Sequence, residues 1–124
     1  MADLLDTGLA WLDGQRERFL TQAVRYRRSS QEAEVLATIG RTVFRLDVGM
    51  GVTERIEARD YLIGAGHLDP FDGPKAGDRI IEERDGQRHT AEVMAPGGEP
   101  AWRWSDPDRR IYRIHTKHLT TEPL

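Results

Sequence analysis

The sequence predicts a mainly β (α+β) fold in one domain of 124 residues. An N-terminal helix spans residues 1–22 in this prediction. A small antiparallel β-barrel or sandwich of six to seven strands follows over residues 23–119, and a polar, frayed tail covers residues 120–124. Two observations carry the prediction: leucines recur with a helical period near the N-terminus, and short alternating segments separated by turn residues fill the remainder.

The helix is predicted from the spacing of its apolar residues. Leu5, Leu9, Leu12 and Phe19 recur at intervals of three, four and seven residues and therefore line one helical face. Asp3 suits the N-cap, where an aspartate side chain accepts hydrogen bonds from free backbone N–H groups. Two glycines within the segment each cost about 1 kcal/mol relative to alanine, so the helix needs tertiary support.

The hydrophobic period changes after residue 22. In residues 23–28, Val24 and Tyr26 alternate with arginines, which is typical of a strand with one buried face. Residues 35–47 are rich in β-branched side chains and predict a second strand, with Gly40 as a bulge or bend. Residues 53–63 alternate less cleanly and suit either a strand or a helix.

Glycine-rich joints bracket residues 53–63, at residues 49–51 and 64–66, and residues 67–77 have the composition of a loop. Such segments can stay mobile until a neighbouring surface orders them. We therefore predict that residues 49–77 contact partners or adjacent subunits. The candidate contact residues there are Met50, Val52, Tyr61 and Phe71.

Two hairpins are predicted in the C-terminal half. Residues 78–83 and 88–94 flank Asp85-Gly86, a pair that suits a type I′ turn. Trp102 and Trp104 are two residues apart, so both rings face the same side of a strand. A turn at residues 105–107 and a returning strand at residues 111–116 complete the second hairpin.

The composition excludes several classes of function. The formal net charge of −3 argues against a general nucleic-acid coat, because phosphate binding needs clustered cations. The absence of cysteine excludes disulfides, thiolate zinc sites and cysteine catalysis. No apolar run approaches the roughly 20 residues that span a bilayer, and the acidic N-terminus does not resemble a signal peptide.

The residues give no pattern for catalysis or for a cofactor. His115 and His118 are three apart and would face opposite sides of a strand, so they could not share a metal ion. Asp106 and Asp108 could in principle act as acid and base, but Asp106 fits better as a turn residue before Pro107. The glycines match neither a dinucleotide fingerprint nor a phosphate-binding loop. We predict that the protein is not an enzyme and holds no metal or cofactor.

The tryptophan hairpin leaves three interpretations open. Arg109 and Arg110 lie close in sequence to Trp102 and Trp104, a combination that suits stacking on single-stranded nucleic acid. The same composition is typical of a protein–protein contact, and the rings could equally belong to the core. The alternative function is therefore a small β-barrel module that binds single-stranded nucleic acid.

Several segments together resemble a known class of viral proteins. These are residues 35–42, 51–57, 60–63, the P-x-x-G-D-x-I element at residues 74–80, and residues 102–117. They are similar to the small head–tail joining (neck or head-closure) proteins of long-tailed bacteriophages and prophages. The likeness covers most of the chain after about residue 23.

The resemblance implies a virion structural protein located in the phage neck and made in the host cytoplasm. Its β-barrels would form a homo-oligomeric ring that joins the DNA-filled head to the tail. A hexamer is favoured because such rings usually follow the sixfold tail, and a dodecamer is the alternative. The implied partners are portal or adaptor and tail proteins, with genomic DNA passing through the lumen and no membrane involved.

Overall fold

The computed structural model describes residues 21–124. The predicted helix lies outside these residues, except for its last two positions. Seven strands account for most of the described chain: β1 (Thr21–Arg28), β2 (Gln31–Gly49), β3 (Val52–Gly64), β4 (Arg79–Arg84), β5 (Gln87–Val93), β6 (Trp102–Trp104) and β7 (Ile111–Pro123).

The strands form one antiparallel sheet in the order β3-β2-β1-β4-β5-β7-β6. Strand β3 also pairs with β7, so β1, β2, β3, β7, β5 and β4 complete a cycle. The short strand β6 continues the line of β5 along one edge of β7, while β3 occupies the other edge. The prediction of a mainly β, antiparallel fold is confirmed. The prediction allowed a barrel or a sandwich, and the closed cycle of strand pairing is that of a barrel.

The core lies inside this cycle of strands. Alternate residues point inward, as the two-residue period of a strand requires. The largest apolar contributors are buried almost completely: Val24, Tyr26, Tyr61, Ile63, Leu68, Phe71, Ile80, Val93 and Ile114.

The ends of the predicted barrel need correction. Strand β1 begins at Thr21, so residues 21 and 22, predicted as helix, pair with β2 instead. The predicted tail at residues 120–124 is largely strand, because β7 pairs with β5 as far as Pro123. Strand β5 extends far enough to pair with the polar residues at the end of β7. Beyond the strand, the Leu124 N–H donates a hydrogen bond to the Gly86 carbonyl at 3.2 Å.

Residues 53–63, for which strand and helix were both open, form β3. Of the bulge and the bend predicted as alternatives at Gly40, the bulge is wrong, since β2 and β3 stay in regular register there and shift only between Asp47 and Gly49. Gly40 has a different role. A Cβ at this position would lie 3.1 Å from Nη1 of Arg113 and 3.2 Å from Leu62, so glycine leaves room for the Arg113 side chain.

The predicted β4–β5 turn is present as expected. Asp85 and Gly86 both have positive φ angles, of 53° and 72°, as a type I′ turn requires. The segment predicted as a loop at residues 67–77 is more ordered than its composition suggests. It begins within a 3-10 helix, Ala65–Phe71, that buries Leu68 and Phe71 against the barrel.

The β2–β3 pair extends beyond the barrel. Strand β2 pairs with β1 only as far as Thr38, and β3 pairs with β7 only from Arg59 onward. Between these limits the described strand pairings join β2 and β3 only to each other. We call this two-stranded extension, residues 41–58, the ribbon.

Candidate interaction surfaces

The tip of the ribbon is the most exposed apolar feature of the described residues. Met50 has a relative exposure of 102%, and Val48 and Val52 have 55% and 56%. Gly49, Met50 and Gly51 all adopt positive φ, and the Asp47 carboxylate accepts a hydrogen bond from the Gly49 N–H at 2.9 Å. The turn is therefore a defined structure that presents apolar side chains to solvent. Met50 and Val52, predicted as contact residues, both lie here.

The two faces of the ribbon differ in character. On the inner face, the Phe44 ring packs edge-on against His115 with centroids 4.9 Å apart. Leu46 fills the space that a Cβ on Gly97 would need. The outer face carries exposed charged residues, among them Arg41, Arg45, Arg55 and Glu57. The ribbon thus leans on the barrel along its inner face, while its tip remains uncovered in the described structure.

A buried ionic network fixes the base of the ribbon. Asp60 is fully buried, and its carboxylate lies 2.8 Å from Nδ1 of His115 and 2.8 Å from Nη1 of Arg113. Thr42 lies near the start of the ribbon, and its hydroxyl donates a third hydrogen bond to the Asp60 carboxylate. Burial alone would raise the pKa of Asp60, but these hydrogen bonds outweigh it and hold the pKa below its usual value. The network ties β2, β3 and β7 together.

Two further buried carboxylates stabilise the barrel. Glu82 accepts hydrogen bonds from Nη2 of Arg59 at 3.0 Å and from the Tyr61 hydroxyl at 2.7 Å. Asp78 accepts two from Arg28, at 2.7 and 2.8 Å, and one from the Tyr26 hydroxyl. Burial raises the pKa of each carboxyl, yet the hydrogen-bond donors prevail and leave it lowered. Each buried carboxylate therefore has hydrogen-bond donors that offset the cost of burying its charge.

These lowered pKa values predict a loss of stability in acid. Carboxyls whose pKa is lower in the folded state contribute stability above their unfolded pKa, about 4, and lose it as the pH falls through the folded value. We expect the free energy of unfolding, measured by urea titration, to fall as the pH is lowered below about 4. Glu82→Gln should flatten this dependence, whereas Glu54→Gln, a change at an exposed carboxylate, should leave it unaltered. An unchanged profile in Glu82→Gln would contradict the assignment.

Two of the predicted contact residues lie in the core. Tyr61 is buried, and both its burial and its hydrogen bond to Glu82 raise the pKa of its hydroxyl to about 12. Phe71 is also buried and packs edge-on against Tyr26, with centroids 4.9 Å apart. Neither side chain reaches the surface of the described structure, so neither is available for a contact with a partner.

The tryptophan hairpin forms a half-buried aromatic cluster. Trp102 and Trp104 lie on the same side of β6, as predicted, with ring centroids 5.2 Å apart. Tyr112 of β7 stacks on Trp104 at 4.5 Å and meets Trp102 edge-on at 4.8 Å. Arg103 is exposed on the opposite face of the strand. The rings therefore brace one another and leave only part of their surface accessible.

Arg109 and Arg110 lie at the turn between β6 and β7, and both are exposed. The Asp106 carboxylate accepts hydrogen bonds from the backbone N–H groups of Arg110 and Ile111, each at 2.9 Å. Asp106 thus has the turn-forming role that the sequence predicts for it.

The histidines are arranged as their spacing predicts. His115 is buried beside Asp60, while His118 is exposed and bonds to Thr121. Residues 21–124 contain no cluster of three potential metal ligands. No helix among them has the length and apolar character needed to cross a bilayer.

Sequence reasoning missed two surface features. Val48 belongs to the exposed tip. It directly follows the β-branched segment at residues 35–47, and nothing in the sequence distinguishes it from a valine of the core. Leu36, on β2, is 41% exposed and lies opposite Ala23 on the outer face of the barrel. Its place in the alternation, between the buried residues Val35 and Ala37, was the available signal.

A closed barrel with a projecting ribbon and an uncovered apolar tip offers an exposed surface of the kind that binds other macromolecules. Residues 2–123 match the family described as phage head-tail joining protein, so the chain belongs to this family. No curated protein matches the chain. The family assignment confirms the resemblance noted in the sequence. It gives the protein a structural role in the phage neck, where it interacts with head and tail proteins.

Proposed function

We propose that the protein forms a homo-oligomeric ring that joins the portal or adaptor of the DNA-filled head to the tail. Six copies are favoured and twelve are the alternative, with genomic DNA passing through the lumen. The ring acts by binding alone and carries out no reaction. Family membership supports the location, and the uncovered tip of the ribbon supports assembly by contact.

The tip is the observation that carries this proposal. Full burial of a valine or methionine side chain contributes about 1.5–3 kcal/mol, and the tip leaves Val48, Met50 and Val52 mostly in water. An isolated copy therefore forgoes several kcal/mol that a neighbour could recover. Because a ring repeats each contact once per copy, this modest gain is multiplied around it.

The proposed contact set combines the tip with the second hairpin. At the tip it contains Met50 and Val52. At the hairpin it contains the aromatic pair Trp102 and Trp104, whose rigid rings suit a protein contact, and the exposed turn arginines. The turn arginines in the set are Arg109 and Arg110.

The overall charge suits a channel for DNA. A formal net charge of −3 per copy gives no general affinity for phosphate, so DNA can move through the lumen without being held. A strongly basic ring would retain the genome by releasing its counterions. The protein therefore guides the DNA sterically while its contacts with other proteins hold the neck together.

Deletion of the gene from the phage or prophage that encodes the chain tests this proposal. We expect lysates in which heads and tails accumulate separately, because the joint between them is missing. Electron microscopy counts joined and separate particles, and a plasmid copy should restore joining. Cryo-electron microscopy of complete particles should then show a sixfold ring of barrels in the neck. Joined, infectious particles from the deletion strain would contradict the proposal.

A further inference from the structure

We propose that the ribbon tip of one copy inserts into a hollow on the barrel of the next copy. This inference rests on the proposed ring and identifies the contact that builds it. It follows from two exposed apolar features of one strand: the tip at the end of β2, and the surface around Leu36 near its beginning.

The hollow lies on the outer face of β1, β2 and β4 and has a volume of about 370 Å³. Ala23 is exposed in this hollow, whereas Ile81 is almost completely buried beneath it. Leu36, the cross-strand partner of Ala23, is 41% exposed and provides most of the apolar surface beside the hollow. Charged side chains surround this surface. They are Arg25, Glu34 and Glu83.

The tip has a complementary shape and chemistry. Met50 projects fully from the turn, and a methionine side chain is unbranched and flexible enough to fill an irregular hollow. Val48 and Val52 flank it and can cover the apolar surface near Leu36. The hollow is large enough for one such side chain, whose insertion would exclude water from both surfaces.

One exposed charge on each feature is opposite in sign to one on the other. Arg45 and Arg55 lie directly opposite each other across the ribbon, an unfavourable arrangement for like charges. Arg55 has an ion pair with Glu57 at 3.7 Å, whereas the described ion pairs of residues 21–124 include none for Arg45. Glu34 at the hollow is exposed and is likewise absent from those pairs. Docking would bring the carboxylate of Glu34 to the paired arginines.

The two features lie towards opposite ends of one strand. Leu36 and Met50 are 14 residues apart in the sequence, a separation of about 45 Å along an extended strand. A tip at one end and a hollow at the other make a head-to-tail contact. Repeated contacts of this type form a ring when the rotation between copies closes. A second copy is therefore the occupant that this geometry favours.

Cysteine cross-linking in complete particles tests the contact, since the natural chain contains no cysteine. Phage carrying the chain with Met50→Cys and Ala23→Cys together should yield a ladder of disulfide-linked oligomers after mild oxidation. Each single variant should give no ladder. Met50→Cys combined with Glu122→Cys is the matched control, because residue 122 is exposed but belongs to neither feature.

A charge exchange provides a second readout. Glu34→Arg should lower the phage titre about tenfold, the effect of losing about 1.4 kcal/mol at the contact. Adding Arg45→Glu should restore the titre. Particles that contain the chain but give no ladder, or in which Met50→Cys cross-links to a different neck protein, would overturn the contact and leave the proposed ring intact. Absence of the chain from particles would instead contradict the proposed function and this inference with it.

Discussion

Replacement of Asp60 by alanine is expected to lower the free energy of unfolding by roughly 3 kcal/mol. The carboxylate is fully buried and is the common acceptor for His115, Arg113 and Thr42. Its removal leaves these donors without an acceptor in the interior, where a lost partner costs more than a lost hydrogen bond. Urea denaturation at pH 7 measures the effect.

Asp108→Ala serves as the matched control, because Asp108 is exposed and the same truncation there should change stability by less than about 0.5 kcal/mol. The double variant Asp60→Ala with Arg113→Met measures the interaction energy between these two side chains apart from their contacts with other residues. If Arg113 depends on Asp60, the double variant should be less destabilised than the sum of the two single variants. Additive losses, or a small effect of Asp60→Ala alone, would contradict the role assigned to the network.

The features that sequence reasoning predicted correctly depend on residues close together in the chain. The β4–β5 turn follows from Asp85-Gly86, because few other pairs accept two positive φ angles. The shared face of Trp102 and Trp104 follows from the two-residue period of a strand. Residues 23–28 likewise alternate in burial as Val24 and Tyr26 predict.

The features it missed depend on which strand pairs with which. Residues 53–63 could be helix or strand by composition, and only pairing with β2 and β7 makes them β3. The ribbon exists because β1 and β7 stop where β2 and β3 continue, and no local pattern encodes that difference. Tyr61 and Phe71 were assigned to a contact surface because their segments are rich in glycine, yet closure of the barrel buries both.

The buried network and the exposed tip are structurally connected through the ribbon. Near the start of the ribbon, the Thr42 hydroxyl donates a hydrogen bond to Asp60. Further along the same strand, Phe44 packs on His115 and Leu46 approaches Gly97. These contacts fix the direction in which the ribbon leaves the barrel. A directed ribbon loses less conformational entropy when its tip docks than a free loop would. The stability of the barrel and the affinity of the tip are therefore linked through the base of the ribbon.

Met50→Asp distinguishes the binding role of the tip from the stability of the barrel. The side chain is fully exposed, so the variant should unfold at the same urea concentration as the natural chain. At the tip, however, it would place a charge where apolar contact is needed, at a cost of about 3 kcal/mol for each contact. We expect phage that carry the variant to lose infectivity on the order of a hundredfold, with unjoined heads and tails seen by electron microscopy.

Leu124→Asp is the matched control, because Leu124 is another exposed apolar residue but lies immediately after the end of β7. The same chemical change there should leave the titre unaltered. Equal losses in both variants would mean that added charge alone impairs the particle. A normal titre in Met50→Asp would mean that the tip makes no contact that joining requires. Only a defect confined to position 50, in a chain of unchanged stability, agrees with an apolar tip that acts by binding.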